Sequence, residues 1–164
     1  MSILLTQIKP NPLGRDRSKN DIPNNQLVKE WIDITNFSNQ EKNLSGLRLT
    51  HKTYPTPLDA FLSAASFSKD EVFLNLNGIV VGANKTIRIH SGDPVLIYSL
   101  DQEEQNGIDP EDQYFTGIQR YSWNNTGDIA KIIKPDNSTL DYAEFYGPTD
   151  GKVLKRIEGS NLFI

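Results

Sequence analysis

Short runs in which apolar and polar residues alternate, punctuated by Asn, Gly, Asp and Pro, are what most restrict the fold of this chain. Between Leu27 and Asn36, Val28, Ile32 and Ile34 fall on one face, and Lys29, Trp31, Asp33 and Thr35 fall on the other. Leu47, Leu49 and His51 alternate with Arg48, Thr50 and Lys52 in the next run, and Ile87 and Ile89 alternate with Thr86, Arg88 and His90. A period of two marks half-buried strands, and the breaker residues mark turns rather than the long helical crossovers of a parallel sheet. Pro94 to Ser99 reads as a further strand opening at proline. Ile129 to Lys134 and Ser138 to Tyr146 flank Pro135-Asp136-Asn137, the composition of a tight hairpin. Seven or more such segments predict an all-β, antiparallel two-sheet sandwich.

One stretch breaks the pattern. Leu58, Phe61, Leu62 and Ala65 recur at helical spacing behind Thr56-Pro57, an N-cap followed by proline at the first helical position. The spacing predicts one short inserted helix over 57–66, with the role of a lid on the core favoured over that of a partner-binding helix. With 164 residues the chain suits a single domain. Its expected core spans about 26–146, with a mobile loop over 9–25 and an acidic loop over 101–112.

Composition removes several kinds of chemistry. There is no cysteine, which excludes disulfides, thiolate metal sites and thiol catalysis. A net charge of −4 argues against a general electrostatic grip on nucleic acid or an anionic membrane. Six acids lie in 101–112, so the remainder of the chain stands at +2. The apolar run Ile3 to Leu5 is far too short for a signal core or a membrane span. As written, the chain is expected to be soluble and cytoplasmic, or exported if it was trimmed from a longer precursor.

No nucleophile elbow is present. Gly147 to Lys152 is one residue short of a phosphate loop, with Val153 where the metal-binding hydroxyl belongs. His51 and His90 lack metal-ligand spacing and read as ordinary strand residues, His51 in phase with Leu49 and His90 in phase with Arg88 and facing water. In the acidic loop, Glu103, Glu104, Asp109, Glu111 and Asp112 are the candidate calcium ligands, since calcium takes several hard oxygens from a flexible loop. They misfit the helix-flanked calcium loop: with Gly107 at the turn position, Gln102 and Gln113 occupy places that need carboxylates. A solvated loop is the simpler reading. A metal-dependent hydrolase built on this loop is the rival enzymatic reading. Lys9, Arg15, Arg17 and Lys19, joined by Lys152, Lys155 and Arg156, are possible polyanion contacts, but no stacking platform or recognition helix accompanies them.

Two blocks resemble the lamin-tail domain, an immunoglobulin-like sandwich. The first is Glu30-Trp31-Ile32-Asp33-Ile34-Thr35-Asn36, followed by Asn43-Leu44-Ser45-Gly46-Leu47-Arg48-Leu49. The second is Trp123-Asn124-Asn125-Thr126-Gly127-Asp128-Ile129 with Ile132, then Leu140-Asp141-Tyr142 and Tyr146. Between them, Gly82 to Ile89 sits where the family turns into a middle strand. The chain departs from the pattern at Leu47, where an aromatic is common, and at Asn137, where a turn glycine is usual. Trp31, Asn36, Gly46, Trp123, Gly127 and Asp128 are expected to do structural work: Asn and Asp bond turn amides, glycine takes positive φ, and tryptophan anchors packing. The resemblance implies a noncatalytic interaction or structural module that binds or tethers a protein partner. The residues themselves call for no cofactor or metal, allow at most a weak contact with nucleic acid through the basic segments, and offer no membrane role.

Overall fold

The computed structural model describes residues 2–10, 25–53, 69–95, 105, 107–118, 122–123, 127–147 and 151–164. Eleven strands lie among them: β1 Ile3–Lys9, β2 Trp31–Asn36, β3 Lys42–Asn43, β4 Arg48–Thr53, β5 Lys69–Asn75, β6 Val80–Val81, β7 Thr86–His90, β8 Gln113–Phe115, β9 Gly127–Ile133, β10 Thr139–Tyr146 and β11 Leu154–Lys155. They form a five-stranded sheet of order β11-β1-β2-β7-β8, a four-stranded sheet of order β10-β9-β4-β5, and a small β3-β6 pair. The protein is an all-β sandwich. One pairing departs from the antiparallel expectation, because β8 runs parallel to β7.

The alternation read from the sequence decides which faces meet. Ile32 and Ile34 of β2, Ile87 and Ile89 of β7, and Leu5 and Ile8 of β1 turn inward from one sheet, and Leu49, Phe73, Ala130, Ile132, Ala143 and Phe145 are buried from the other. Each aliphatic chain so buried contributes roughly 1.5–3 kcal/mol by leaving water. The core is wider than residues 26–146, because β1 is an interior strand of the five-stranded sheet, between β11 and β2, and Leu154 and Phe163 join the cluster. A core needs sheet partners that the central segments alone do not supply.

Carboxylates fasten the two layers. The β1–β2 register shifts between Leu5 and Gln7, and the β10–β9 register shifts between Thr139 and Asp141. A bulge leaves ladder groups unpaired. The Leu5 amide donates across the sandwich to Asp141 Oδ2 at 2.8 Å, and Arg156 Nη1 donates to the same oxygen at 2.6 Å. Near the other end of β2, buried Glu30 accepts from the Ser122 amide at 2.9 Å and the Trp123 amide at 3.3 Å, just ahead of β9.

The β9–β10 hairpin forms as its sequence predicts. Asp136 Oδ1 accepts from the Ser138 amide at 2.9 Å, and Asn137 takes φ 67°, a conformation asparagine tolerates where glycine is usual. Two readings need correction. Lys9 is not in a loop but closes β1 opposite Trp31, and it is buried. Pro94 and Val95 do not open a strand. They form a 3-10 turn in which the Val95 amide donates to Asp93 Oδ1 at 2.9 Å, so the local aspartate cap outweighs the apolar run. The helix expected over 57–66 and most of the loop over 9–25 lie outside the described residues.

Candidate functional site

The most structured polar surface is the outward face of the five-stranded sheet. Directly opposed residues share a face of a sheet, so the registers set two rows across it. One row runs Lys155, Gln7, Asp33, Arg88, Gln113, and the other runs Lys9, Trp31, His90, Phe115. These are the residues out of phase with the core isoleucines, yet Trp31, Asp33, Arg88 and His90 are all buried. The face is therefore covered and polar at once.

Its centre is an ion pair. Arg88 Nε and Nη2 donate to the two Asp33 oxygens at 2.7 and 2.8 Å, while the guanidinium carbon lies 3.5 Å from the centre of the Trp31 ring. Burial pushes the Asp33 carboxyl up from its ordinary range, and the Arg88 hydrogen bonds and charge oppose that shift. Beside the pair, His90 stacks on Phe115 with ring centres 4.8 Å apart. Burial lowers the His90 pKa to about 4, so the ring is neutral. The Val28 carbonyl can only accept, which places the proton on Nδ1. The Gln113 side-chain amide, 2.8 Å from Nε2, then serves as donor with its oxygen and nitrogen assigned to suit. The expectation that His90 faces water is thus corrected: it does point away from the core, but a covered outer face excludes solvent from it.

A cavity of about 340 Å³ opens on this face, with Gln7, Trp31, Asp33, Arg88, Ile108 and Lys155 among its walls. Gly107 and Ile108, within the acidic stretch, help to close it. A second cavity of about 550 Å³, more apolar, lies between Leu4, Phe37 and Ile157.

The other concentration of buried polar groups sits at the sandwich end. Glu30, fully buried, also accepts a hydrogen bond from Ser91 Oγ. Burial pushes its pKa up to about 8 against the pull of these three donors, and the charge of Asp128 adds to the rise. Nearby, His51 lies edge-on to Trp123 and Phe73, with ring centres 5.7 and 6.4 Å away.

The six residues singled out for structural work are placed as follows. Asn36 Nδ2 donates to the carbonyls of Gln40, Val81 and Gly82 at 2.7, 3.1 and 3.0 Å, while its Oδ1 accepts from Ser38 N and Oγ at 3.0 and 2.7 Å. Asp128 Oδ1 accepts from the Lys52 and Ile129 amides, both at 2.7 Å, joining β4 to β9. Gly46 takes φ 87° and donates its amide to Asn77 Oδ1 at 2.9 Å. At Gly127, φ is 145° and a Cβ would stand 3.0 Å from the Phe145 carbonyl oxygen. Trp123 is buried in the core and Trp31 on the covered outer face.

Of the calcium candidates, Glu103 and Glu104 lie outside the described residues. Asp109 accepts from Lys85 Nζ at 3.2 Å, and Glu111 and Asp112 occupy a 3-10 turn. Among the described residues no group of three His, Asp or Glu side chains is placed to hold a metal ion. Of the polyanion candidates, Arg15, Arg17 and Lys19 also lie outside the described residues. Lys9 is buried and Arg156 is engaged by Asp141, Asn161 and the Leu5 and Ser160 carbonyls. Lys152 and Lys155 are exposed. No helix among the described residues is long and apolar enough to cross a membrane. The sequence reading overlooked Glu30, Arg88 and Asp141 as organisers. The one signal that pointed to the outer face is the pairing of opposite charges, Asp33 and Arg88, on the polar phase of two strands. Compared with protein-family models and with curated proteins, the sequence matches none.

Proposed function

We propose that the chain is an immunoglobulin-like sandwich of the lamin-tail type that works as a noncatalytic interaction or tethering module for a protein partner. One observation carries this reading: the buried carboxylates are tied to structural donors. Asp33 holds Arg88, Asp128 and Glu30 hold backbone amides from neighbouring elements, and Asp141 bridges a β1 amide to Arg156. Acid–base catalysis needs a carboxyl within reach of a bound substrate and free to exchange a proton. Glu30, Asp128 and Asp141 are buried in the scaffold, and Asp33, which reaches a cavity wall, is held in two-point contact by Arg88. The residues that carry the resemblance, Asn36, Gly46, Gly127 and Asp128, do turn and strand-joining work, which also favours a scaffold whose task lies in its surface.

Immobilised protein exposed to native lysate of the source cells, with and without calcium, tests the proposal. A single partner retained in near-equimolar amount, unchanged by calcium or by the triple variant Glu103→Gln, Glu104→Gln, Asp109→Asn, is the expected result. Metal-dependent turnover of an ester, phosphodiester or glycoside that this triple variant abolishes overturns it in favour of the hydrolase.

A further inference from the structure

Buried polar atoms almost always have partners, and a buried tryptophan N–H usually finds one. Five described side-chain atoms lack one: Trp31 Nε1, Thr50 Oγ1, His51 Nε2, Ser122 Oγ and Trp123 Nε1. Of these residues, only Trp31 lines either of the two cavities described above. Trp31 is 2% exposed, and the Arg88 guanidinium packs against its ring.

Two further groups on the walls of the same cavity are uncommitted. The Gln7 amide and the Lys155 ammonium, neighbours through the Gln7–Lys155 register, form no hydrogen bond or ion pair among the described residues. The Asp33 carboxylate is neutralised by Arg88. Around the cavity the groups left to meet a ligand are the Trp31 N–H, the Gln7 amide, which can donate as well as accept, and the Lys155 ammonium, with one positive charge left over at Lys155. At about 340 Å³ the space falls at the lower end of the roughly 300–1,000 Å³ of ordinary ligand sites. An arrangement of donors and one cation complements a planar, singly charged acceptor.

We propose that the cavity on the outer face of the five-stranded sheet is a carboxylate-binding site, in which Trp31, Gln7 and Lys155 donate to the ligand. The carboxylate belongs to a small organic acid or to the free C-terminus of a peptide, which share this chemistry. The site stands whether or not the chain tethers a protein partner.

Two-dimensional NMR of the tryptophan indole N–H signals gives a direct readout, since the chain has only Trp31 and Trp123. Titration with N-acetylglycine is expected to move the Trp31 signal saturably and leave that of Trp123 in place. The neutral N-acetylglycinamide should move neither. Lys155→Gln and Gln7→Ala change side chains that make no other hydrogen bond or ion pair among the described residues, and each should weaken the response, Lys155→Gln by roughly tenfold, as for a charge-assisted hydrogen bond. Tighter binding of an acetylated tripeptide acid than of N-acetylglycine assigns the carboxylate to a peptide terminus, and equal binding assigns it to a free acid. An equal response to the amide, a response that both variants retain, or a Trp31 signal that stays fixed at tens of millimolar N-acetylglycine overturns the proposal.

Discussion

Asp33 and Glu30 lie three residues apart and both are buried, yet the molecule accommodates them in opposite ways. On the outer face of the five-stranded sheet Asp33 meets a guanidinium in two-point contact. At the sandwich end Glu30 meets only a hydroxyl and two amides, and with Asp128 close by its carboxyl holds its proton up to a pH of about 8. The first region keeps its charges and matches them; the second sheds its charge. A charge removed from water is costly without a partner, and either route answers that cost. The difference teaches that a buried carboxylate can keep its charge where a cation meets it in two-point contact, and gives the charge up where only neutral donors do.

Arg88→Met breaks the matched region most severely. It leaves Asp33 buried without its cation, and the expected loss is about 3–5 kcal/mol, read as a fall in the urea midpoint at neutral pH. The double variant Asp33→Leu, Arg88→Met should recover most of that loss, because two apolar side chains of similar size remove both desolvation penalties. If the double variant is as unstable as the single one, the pair acts through something other than matched charge.

Next in size is the pH response of the neutralised region. Unfolded Glu30 releases its proton near pH 4.5 and folded Glu30 near 8, so between those values the folded state binds the extra proton and stability falls as pH rises. His90 works the other way, since its pKa drops from 6.5 to about 4 on folding. Its contribution is complete above pH 6.5 and is lost as pH falls towards 4. The two slopes oppose each other below 6.5, and Glu30 acts without His90 from there to 8. Glu30→Gln imitates the protonated acid. Unfolding free energies from urea titration of the variant and the wild type should match near pH 4.5 and separate in the variant's favour by a few kcal/mol near pH 8. Parallel curves would show that Glu30 is ionised in the fold, and the contrast with Asp33 would disappear.

The inner face of the sandwich was legible in the sequence because period two is a local property: Ile32, Ile34, Ile87, Ile89 and Leu49 sit where their alternation puts them. The β9–β10 hairpin was legible for the same reason, with Asn137 supplying its own turn geometry. The roles of Asp141 and Glu30 were not. Asp141 meets Leu5 from 136 positions away, and Glu30 meets Ser122 from 92, so no local pattern records either contact. Likewise, β1 and β11 become core elements only through their neighbours in the sheet. The outer face was half legible. The polar phase of β2 and β7 marked Asp33 and Arg88 as a facing pair, but burial of that phase depends on distant chain lying over it, which alternation does not encode.

The smallest expected effect comes from a pair with the same chemistry and no burial. Lys85, three residues before Arg88, donates to Asp109 at 3.2 Å with both side chains more than half exposed. That contact raises the Lys85 pKa, chiefly through the hydrogen bond and charge of Asp109. Water solvates both groups when they separate, and ordering two flexible chains offsets most of the attraction. Lys85→Gln should therefore give a urea midpoint indistinguishable from wild type, and about 1 M salt, where screening acts over ~3 Å, should reproduce that result without mutation. The Arg88–Asp33 pair should ignore the same salt, because solvent ions do not reach it. A loss at Lys85 as large as that at Arg88 would mean that exposure does not set the strength of these pairs, and that Asp109 anchors the acidic stretch to β7 as firmly as Asp33 anchors the outer face.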